Sequence, residues 1–327
     1  MLDVCLFAHY DKDDKVDEYV LRYLEKIKEL HFSIIFISTA RLAETVVERL
    51  RADCSDVILR ENTGLDFGSW SAGFAKHRSA IQHRLLLAND SVYGPIGPLA
   101  TALDRMTRKP ADFYGLVESL EKSSHLQSWF LLFEPWVVRH ATFKAILTQP
   151  FAEMTKAQII ENGEVGLSRR LLDAGFRYQA LYMINEAGLT ARRYAVNPMH
   201  PLWRELLFEG GVPFLKVQLL RDNPVGVEDS ETILRAVEPL DPQLCDLMKS
   251  HLARTKAGDL PRLNVLKRRI INYRYTLLRN GYRLKRQNRR MAETLNYLGL
   301  VIFIGSLQTW RFLRHFQFDR ARLGQRR

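Results

Sequence analysis

The sequence predicts an α/β protein, a mostly parallel sheet flanked by helices, followed by a basic helical C-terminal extension. Three observations carry that reading. Short apolar runs without polar alternation recur between residues 4 and 88, the mark of strands buried on both faces. Between them lie amphipathic stretches of helical length, and strands separated in this way make βαβ units with right-handed crossovers. Charge is also distributed unevenly. Residues 262–327 carry 17 Lys+Arg against two acids, Glu293 and Asp319, while residues 1–261 hold 31 basic and 35 acidic residues. The net charge of +11 therefore belongs to the end of the chain.

The elements follow in order. Val4–Ala8 is a short apolar strand ending at His9-Tyr10-Asp11. Val16 to Leu30 then repeats apolar residues at helical spacing through Val20, Leu24 and Ile27. Phe32–Ile37 is β-branched and aromatic, Leu42–Leu50 is amphipathic, and Asp56–Leu59 and Leu85–Ala88 are strands. Phe113–Val117 and Phe130–Glu134 also read as strands, and Pro135 to Leu147 as one helix. Glu164 to Ala174 is a helix that Gly175 stops. Breakers fall at Asn197–Pro201, Gly210–Pro213, Asp222–Pro224 and Pro239–Pro242. Lys256–Pro261 is the expected boundary between a domain over 1–255 and a basic amphipathic tail over 262–327.

Several classes are excluded. Cys5, Cys54 and Cys245 make no CxxC pair and no metal-ligand spacing, which suits a reducing compartment. The opening Met-Leu-Asp-Val-Cys-Leu-Phe-Ala has no basic n-region, so no secretory signal is expected and the cytoplasm is the expected compartment. There is no GxxxxGK[ST] and no GxGxxG between a strand and a helix, which argues against a P-loop NTPase or a dinucleotide enzyme. Residues 1–261 have no positive excess, and no nucleic-acid partner is expected.

Ligands of a parallel sheet bind beyond the carboxyl ends of its strands. The residues to inspect are therefore His9–Asp11, Ser38-Thr39, Arg60–Asp66 and Asn89–Gly94. A sugar diphosphate leaving group concentrates negative charge, which a divalent cation held by a strand-end carboxylate would stabilise. Asp90 has that position, with Asn89 and Ser91 beside it; the alternative is a turn whose side chains cap the next helix. Gly64 and Gly68 allow close backbone approach. Asn62 and Asp66 offer an amide and a carboxylate to a base or ribose hydroxyl, against an ordinary Asn-Thr-Gly turn. Inverting glycosyl transfer needs a base for the acceptor hydroxyl, and Glu164, in Glu161-Asn-Gly-Glu164-Val-Gly-Leu-Ser168 at an expected helix start, is the candidate. The alternative is acids placed to favour the helix dipole.

In order, Ala8-His9-Tyr10-Asp11, Asn62-Thr-Gly-Leu-Asp66-Phe-Gly68, Leu-Leu-Leu-Ala-Asn89-Asp90-Ser91-Val-Tyr-Gly94-Pro95 and His125-Leu-Gln127-Ser128-Trp-Phe resemble the rhamnan synthesis protein F family. So do Glu164-Val-Gly-Leu-Ser168 and Pro213-Phe-Leu-Lys216 with Arg221-Asp222-Asn223-Pro224, the whole spanning roughly residues 1–230. Members are bacterial enzymes of surface polysaccharide assembly, regarded as rhamnosyltransferases. The resemblance implies a GT-A-like, Rossmann-type sheet, a nucleotide-sugar donor such as dTDP-rhamnose and a lipid-linked glycan acceptor. It puts Asn89-Asp90-Ser91 in the place of the Asp-x-Asp motif and Glu164 in the place of the base. The second aspartate is absent here, so a divalent cation (Mg²⁺ or Mn²⁺) at Asp90 is an option and not a requirement.

Other residues join these. His9 and Asp11 fall on the donor side, and Lys216 meets phosphate as a point charge or is simply solvated. His125, Gln127 and Ser128 suit acceptor hydroxyls, with strand alternation putting the first two on one face; the alternative is a loop satisfied by its own backbone. His200 is a candidate late metal ligand, against a structural histidine between prolines. The competing function is a non-catalytic glycan- or nucleotide-sugar-binding subunit of a polysaccharide assembly complex.

In the tail, Lys267-Arg268-Arg269, Arg274, Arg279, Arg283 and Lys285-Arg286 alternate with Ile270, Tyr273, Leu277 and Tyr282 before the apolar stretch Leu295 to Trp310. That stretch is shorter than the ~20 residues of a transmembrane helix. It suits a segment lying in the interface of an anionic leaflet, which makes the protein peripheral on the inner face of the cell membrane. Nucleic acid and a partner-protein helix are the alternatives for the same composition.

Overall fold

In the computed structural model, which describes residues 2–120, 122–184, 197–224 and 228–255, the first half alternates as expected. It runs β1 (Asp3–His9), α1 (Glu18–Lys28), β2 (Phe32–Ser38), α2 (Glu44–Asp53), β3 (Asp56–Leu59), α3 (Leu65–His77) and β4 (Leu85–Asn89). Next come β5 (Val92–Tyr93), α4 (Leu99–Thr107), β6 (Phe113–Ser119), β7 (His125–Leu126) and β8 (Phe130–Phe133). After them lie α5 (Pro135–Arg139), α6 (Ala141–Leu147), α7 (Lys156–Ile159), α8 (Gly166–Asp173) and β9 (Tyr178–Tyr182). Last are β10 (Leu215–Lys216), α9 (Val217–Arg221), α10 (Ser230–Val237) and α11 (Pro242–Thr255). The expected boundary at 256–261, the basic tail 262–327 and its apolar stretch 295–310 lie outside the described residues.

The sheet order is β3-β2-β1-β4-β8-β6-β7, with β9 also paired to β6. The four strands from β3 to β4 are parallel, and β9 is parallel to β6. β8 runs antiparallel between β4 and β6. The result is the expected α/β class, a mixed and mostly parallel sheet flanked by helices. β1 shows why its sequence lacks alternation. Val4, Leu6 and Ala8 face a core shared with Phe67, Trp70 and Phe74 of α3, while Phe7 meets Tyr23 of α1 on the opposite face at 5.4 Å. Both faces are covered, so each position is apolar. Burying a side chain such as Phe7 stabilises the fold by roughly 1.5–3 kcal/mol.

Two expectations are corrected. The helix read over Pro135 to Leu147 is broken at His140, whose backbone is extended (φ −69°, ψ 146°) and whose ring accepts the Thr142 N–H, capping α6. The helix read as starting near Glu164 begins at Lys156, behind a capping box of Thr155 and Gln158. It then widens into a π-helical turn over Ile160–Val165 before α8. Glu164 therefore sits on that turn, not at a helix start, and the dipole explanation for its charge does not apply. Gly163 permits the close packing, because a Cβ there would lie 2.9 Å from the Phe67 ring. Among the described residues, no helix is long and apolar enough to cross a membrane.

Candidate active site

The carboxyl end of β4 is built by hydrogen bonds among the residues that end it. The Asn89 carbonyl oxygen accepts from the Ser91 N–H and hydroxyl (3.1 and 2.6 Å), and its amide donates to Asp66 at 2.8 Å. Asn89 is 2% exposed, with its Oδ1 and one N–H engaged. It positions Asp66 and Ser91. Asp66 stands in the first turn of α3, which opens from Gly64 in the left-handed conformation (φ 73°), a geometry glycine adopts without strain. Asn62, just before that turn, is exposed.

Asp90 follows directly. Its Oδ2 accepts the Tyr10 N–H at 2.9 Å, and Tyr19 donates its hydroxyl to the Asp90 backbone carbonyl at 3.0 Å. Burial, and after it the Asp66 carboxylate, push Asp90 well above the ordinary carboxylate range. Burial likewise raises Asp66 to about 6, against the pull of Lys216 and the Asn89 amide. His9 bonds Ser38 through Nδ1 at 2.9 Å, and its Nε2 lies 3.9 Å from Asp90. Burial lowers His9 to about 4, so that contact involves a neutral imidazole near pH 7.

A two-stranded ribbon, β5 paired antiparallel with β10, brings Lys216 opposite Val92 and over the same loop. Its Nζ donates to the Ser91 hydroxyl at 3.1 Å and lies 6.0 Å from the centre of the Trp129 ring. Burial lowers the Lys216 pKa, opposed by Glu164, Asp66 and Asp90 in that order. Lys216 thus feels three acidic groups, from α3, the β4 end and the π-helical turn.

Glu164 is tied to the segment after β7, where its Oε1 accepts the Ser128 N–H at 3.4 Å. Gln127 is buried and its carbonyl accepts from Asn197 at 2.6 Å. His125 is buried, and its Nδ1 donates to the Ser123 carbonyl at 2.8 Å. This leaves Nε2 as the acceptor nitrogen. β7 ends at Leu126, so Gln127 lies just past the strand whose alternation was to set its face. His200 is buried, and burial followed by the charge of Lys216 lowers it to about 4.

Asp11 belongs to a different cluster. Arg254 of α11 donates to both of its carboxylate oxygens (3.0 and 2.6 Å) and also to Asp13 and Asp17. Burial pushes the Asp11 carboxyl up, but Arg254 and the N–H groups of Asp13 and Lys15 outweigh it and hold it below the usual range. Arg254 lies 243 positions from Asp11, and no motif links the two. Trp129 was visible only as a member of the His125–Phe130 run.

The fit of a divalent cation can be tested on these groups. Asp11, Asp17 and His251 are a possible cation site by ligand type, with ligand atoms within 4.8 Å of one another. The Arg254 guanidinium already bonds both aspartates, so an ion would have to expel it. Asp90 and His200 join no such group of three among the described residues, and the cation facing Asp90 is Lys216. As arranged, the Asp11–Asp17–His251 group takes an ion only if Arg254 leaves it.

Comparison with known proteins places the chain. The model of the family described as rhamnan synthesis protein F matches residues 34–285, more than half of the sequence. The match omits the Ala8–Asp11 motif and reaches further toward the C-terminus than residue 230. Virulence protein VirA of Vibrio anguillarum is 27% identical over 253 residues, covering 68% of this chain and 81% of VirA. Uncharacterized protein y4gN of Sinorhizobium fredii is 30% identical over 206 residues, covering 61% of this chain and 54% of y4gN. A solved structure from Desulfovibrio desulfuricans G20, described as that of a nucleotide-diphospho-sugar transferase, is 13% identical with a TM-score of 0.34. It covers 56% of this chain and 80% of its own. At that overlap the likeness says nothing about the reaction.

Proposed function

This chain belongs to the rhamnan synthesis protein F family, and on that premise we propose that it is an inverting glycosyltransferase of surface polysaccharide assembly. Its donor is a deoxysugar, rhamnose, carried on a nucleoside diphosphate of the dTDP-rhamnose kind. Its acceptor is a growing, lipid-linked glycan. The observation that carries this reading is that Lys216, bonded to Ser91 beyond the carboxyl end of β4, feels the charges of Glu164, Asp66 and Asp90.

In this reading Asp66, Asp90 and Ser91 line the donor side, with Asn89 holding them in place and His9 backing Asp90. Glu164 takes the proton of the acceptor hydroxyl as its oxygen attacks the anomeric carbon. The bond from that carbon to the diphosphate breaks, and its electron pair leaves on the phosphate oxygen. The Ser128 N–H orients the Glu164 carboxylate, and the His125 Nε2 offers an acceptor on the glycan side. A bound divalent cation would supply Lewis-acid stabilisation of the diphosphate. The basic tail, on sequence alone, suits attachment to an anionic leaflet, where a lipid-linked acceptor lies.

Release of nucleoside diphosphate from a panel of nucleotide sugars, with a membrane extract as acceptor source, tests the proposal. Wild type is expected to release it from a rhamnose donor, and Glu164→Gln and Asp90→Ala are expected not to. Donor binding without release in wild type, under every condition, would overturn the transferase in favour of a binding subunit.

A further inference from the structure

Asp90 lies one residue past the end of β4, so the sheet alone does not set its position. Three hydrogen bonds do. Its N–H donates to the Ala8 carbonyl at 3.3 Å, and its Oδ2 accepts the Tyr10 N–H at 2.9 Å. The third comes from a side chain. Tyr19 of α1 is 4% exposed, and its hydroxyl donates to the Asp90 carbonyl at 3.0 Å. Asp90 itself is not sealed, since 14% of its side chain meets solvent.

The Tyr19 ring is held in turn. Tyr93 of β5 meets it edge-on, with centroids 4.9 Å apart and planes at 67°, and the His251 ring of α11 lies 5.0 Å away. Both are buried. The Tyr93 hydroxyl and His251 Nδ1 stand 2.6 Å apart, while the Asp17 carboxylate lies 3.7 Å from Nε2. That carboxylate draws the ring proton to Nε2, so Nδ1 accepts from the tyrosine. Three rings from α1, β5 and α11 thus close on one another, each with a polar edge. Apolar rings would fill the space without the cost of burying polar groups. The Tyr19 hydroxyl is used on Asp90 instead.

Resting on the transferase reading above, we propose that Tyr19 is a positioning residue for the reaction. Its hydroxyl holds the Asp90 peptide, so that the carboxyl group keeps its aim at the donor. The Tyr93–His251 pair keeps the Tyr19 ring from turning away. α11 thereby contributes to the donor side without touching the donor. Such support is worth having, because a shift of about 1 Å in a positioned group can cost about 10²-fold in rate.

A double-mutant cycle on the full chain tests the role. It reads equilibrium binding of dTDP-rhamnose, or of whichever nucleotide sugar of the panel above wild type binds, in buffer with Mg²⁺. Tyr19→Phe keeps the ring and removes only the hydroxyl, and is expected to weaken binding about three- to tenfold. In an Asp90→Ala background the same substitution is expected to change binding by less than about twofold, because the carboxyl group it aims is gone. A merely structural role would give equal losses in both backgrounds. Tyr93→Phe leaves the Tyr19 hydroxyl in place and releases His251. It is expected to give a smaller loss with the same dependence on Asp90, which keeps the test independent of any folding defect in Tyr19→Phe. Unchanged binding in both variants, or equal loss with and without Asp90, would overturn the assignment and leave the transferase standing. Failure of wild type to bind any nucleotide sugar of the panel would overturn both.

Discussion

Two acidic clusters sit beyond neighbouring strands of one sheet, and they are finished in opposite ways. After β1, Asp11, Asp13 and Asp17 are gathered by one guanidinium, with further N–H groups on Asp11. After β4, Asp66, Asp90 and Glu164 share a single lysine. The first is saturated and acts as a clasp between α11 and the β1 loop. The second is short of positive charge, and such incompleteness is what a ligand resolves. Acidity at a strand end thus marks two different things, and the state of its partners separates them.

The largest effect that sharpens this contrast is on the chemistry. Glu164→Gln should cut transfer by about 10²–10⁴-fold while leaving donor binding intact, read by turnover beside equilibrium titration. Equal loss of binding would move Glu164 to the donor side.

Next comes the clasp. Arg254→Met should cost about 2–4 kcal/mol of stability in a denaturant titration. That is below the full cost of breaking a buried pair, because 19% of the Arg254 side chain meets water. Binding of dTDP should persist, and its loss would erase the distinction between the two clusters.

Asp66 gives a prediction of comparable size with a sign. Its folded-state pKa of about 6 lies above the ordinary 3.8, so the folded protein holds the proton more tightly. That contribution is present below 3.8 and is lost as pH rises through about 6. Asp66→Asn removes the loss and still accepts from Asn89. It should stabilise the protein at neutral pH by up to about 3 kcal/mol and flatten the stability profile from acid to neutral. A profile parallel to wild type would contradict the burial of that carboxyl.

The smallest effect concerns positioning. Gly163→Ala would press a Cβ against Phe67, costing about 1–2 kcal/mol and slowing transfer by shifting Glu164, with dTDP binding unchanged. Transfer at the wild-type rate would show that the π-helical turn does not place the base.

Much of the fold was legible because burial on both faces leaves a plain mark. Val4–Ala8, Phe32–Ile37 and Leu85–Ala88 carry no alternation, and all three became central strands. β5 and β10 are two residues each, too short for any period, and their pairing is what delivers Lys216. The Glu164 helix was misplaced because Thr155 and Gln158 form a capping box that the acidic run overshadowed. At the site, Asn89, Asp90 and Ser91 were found together, but their roles depend on hydrogen bonds that spacing does not encode. Asp11 and Asp90 look alike in sequence, and only the long-range arrival of Arg254 tells them apart.

Hydrogen–deuterium exchange on the full chain, with and without dTDP-rhamnose, shows which of the two clusters meets the donor. Exchange is expected to slow in residues 89–93 and 215–217 and to stay unchanged in residues 11–17. Slowing centred on 11–17, or no change at the β4 end, would contradict it.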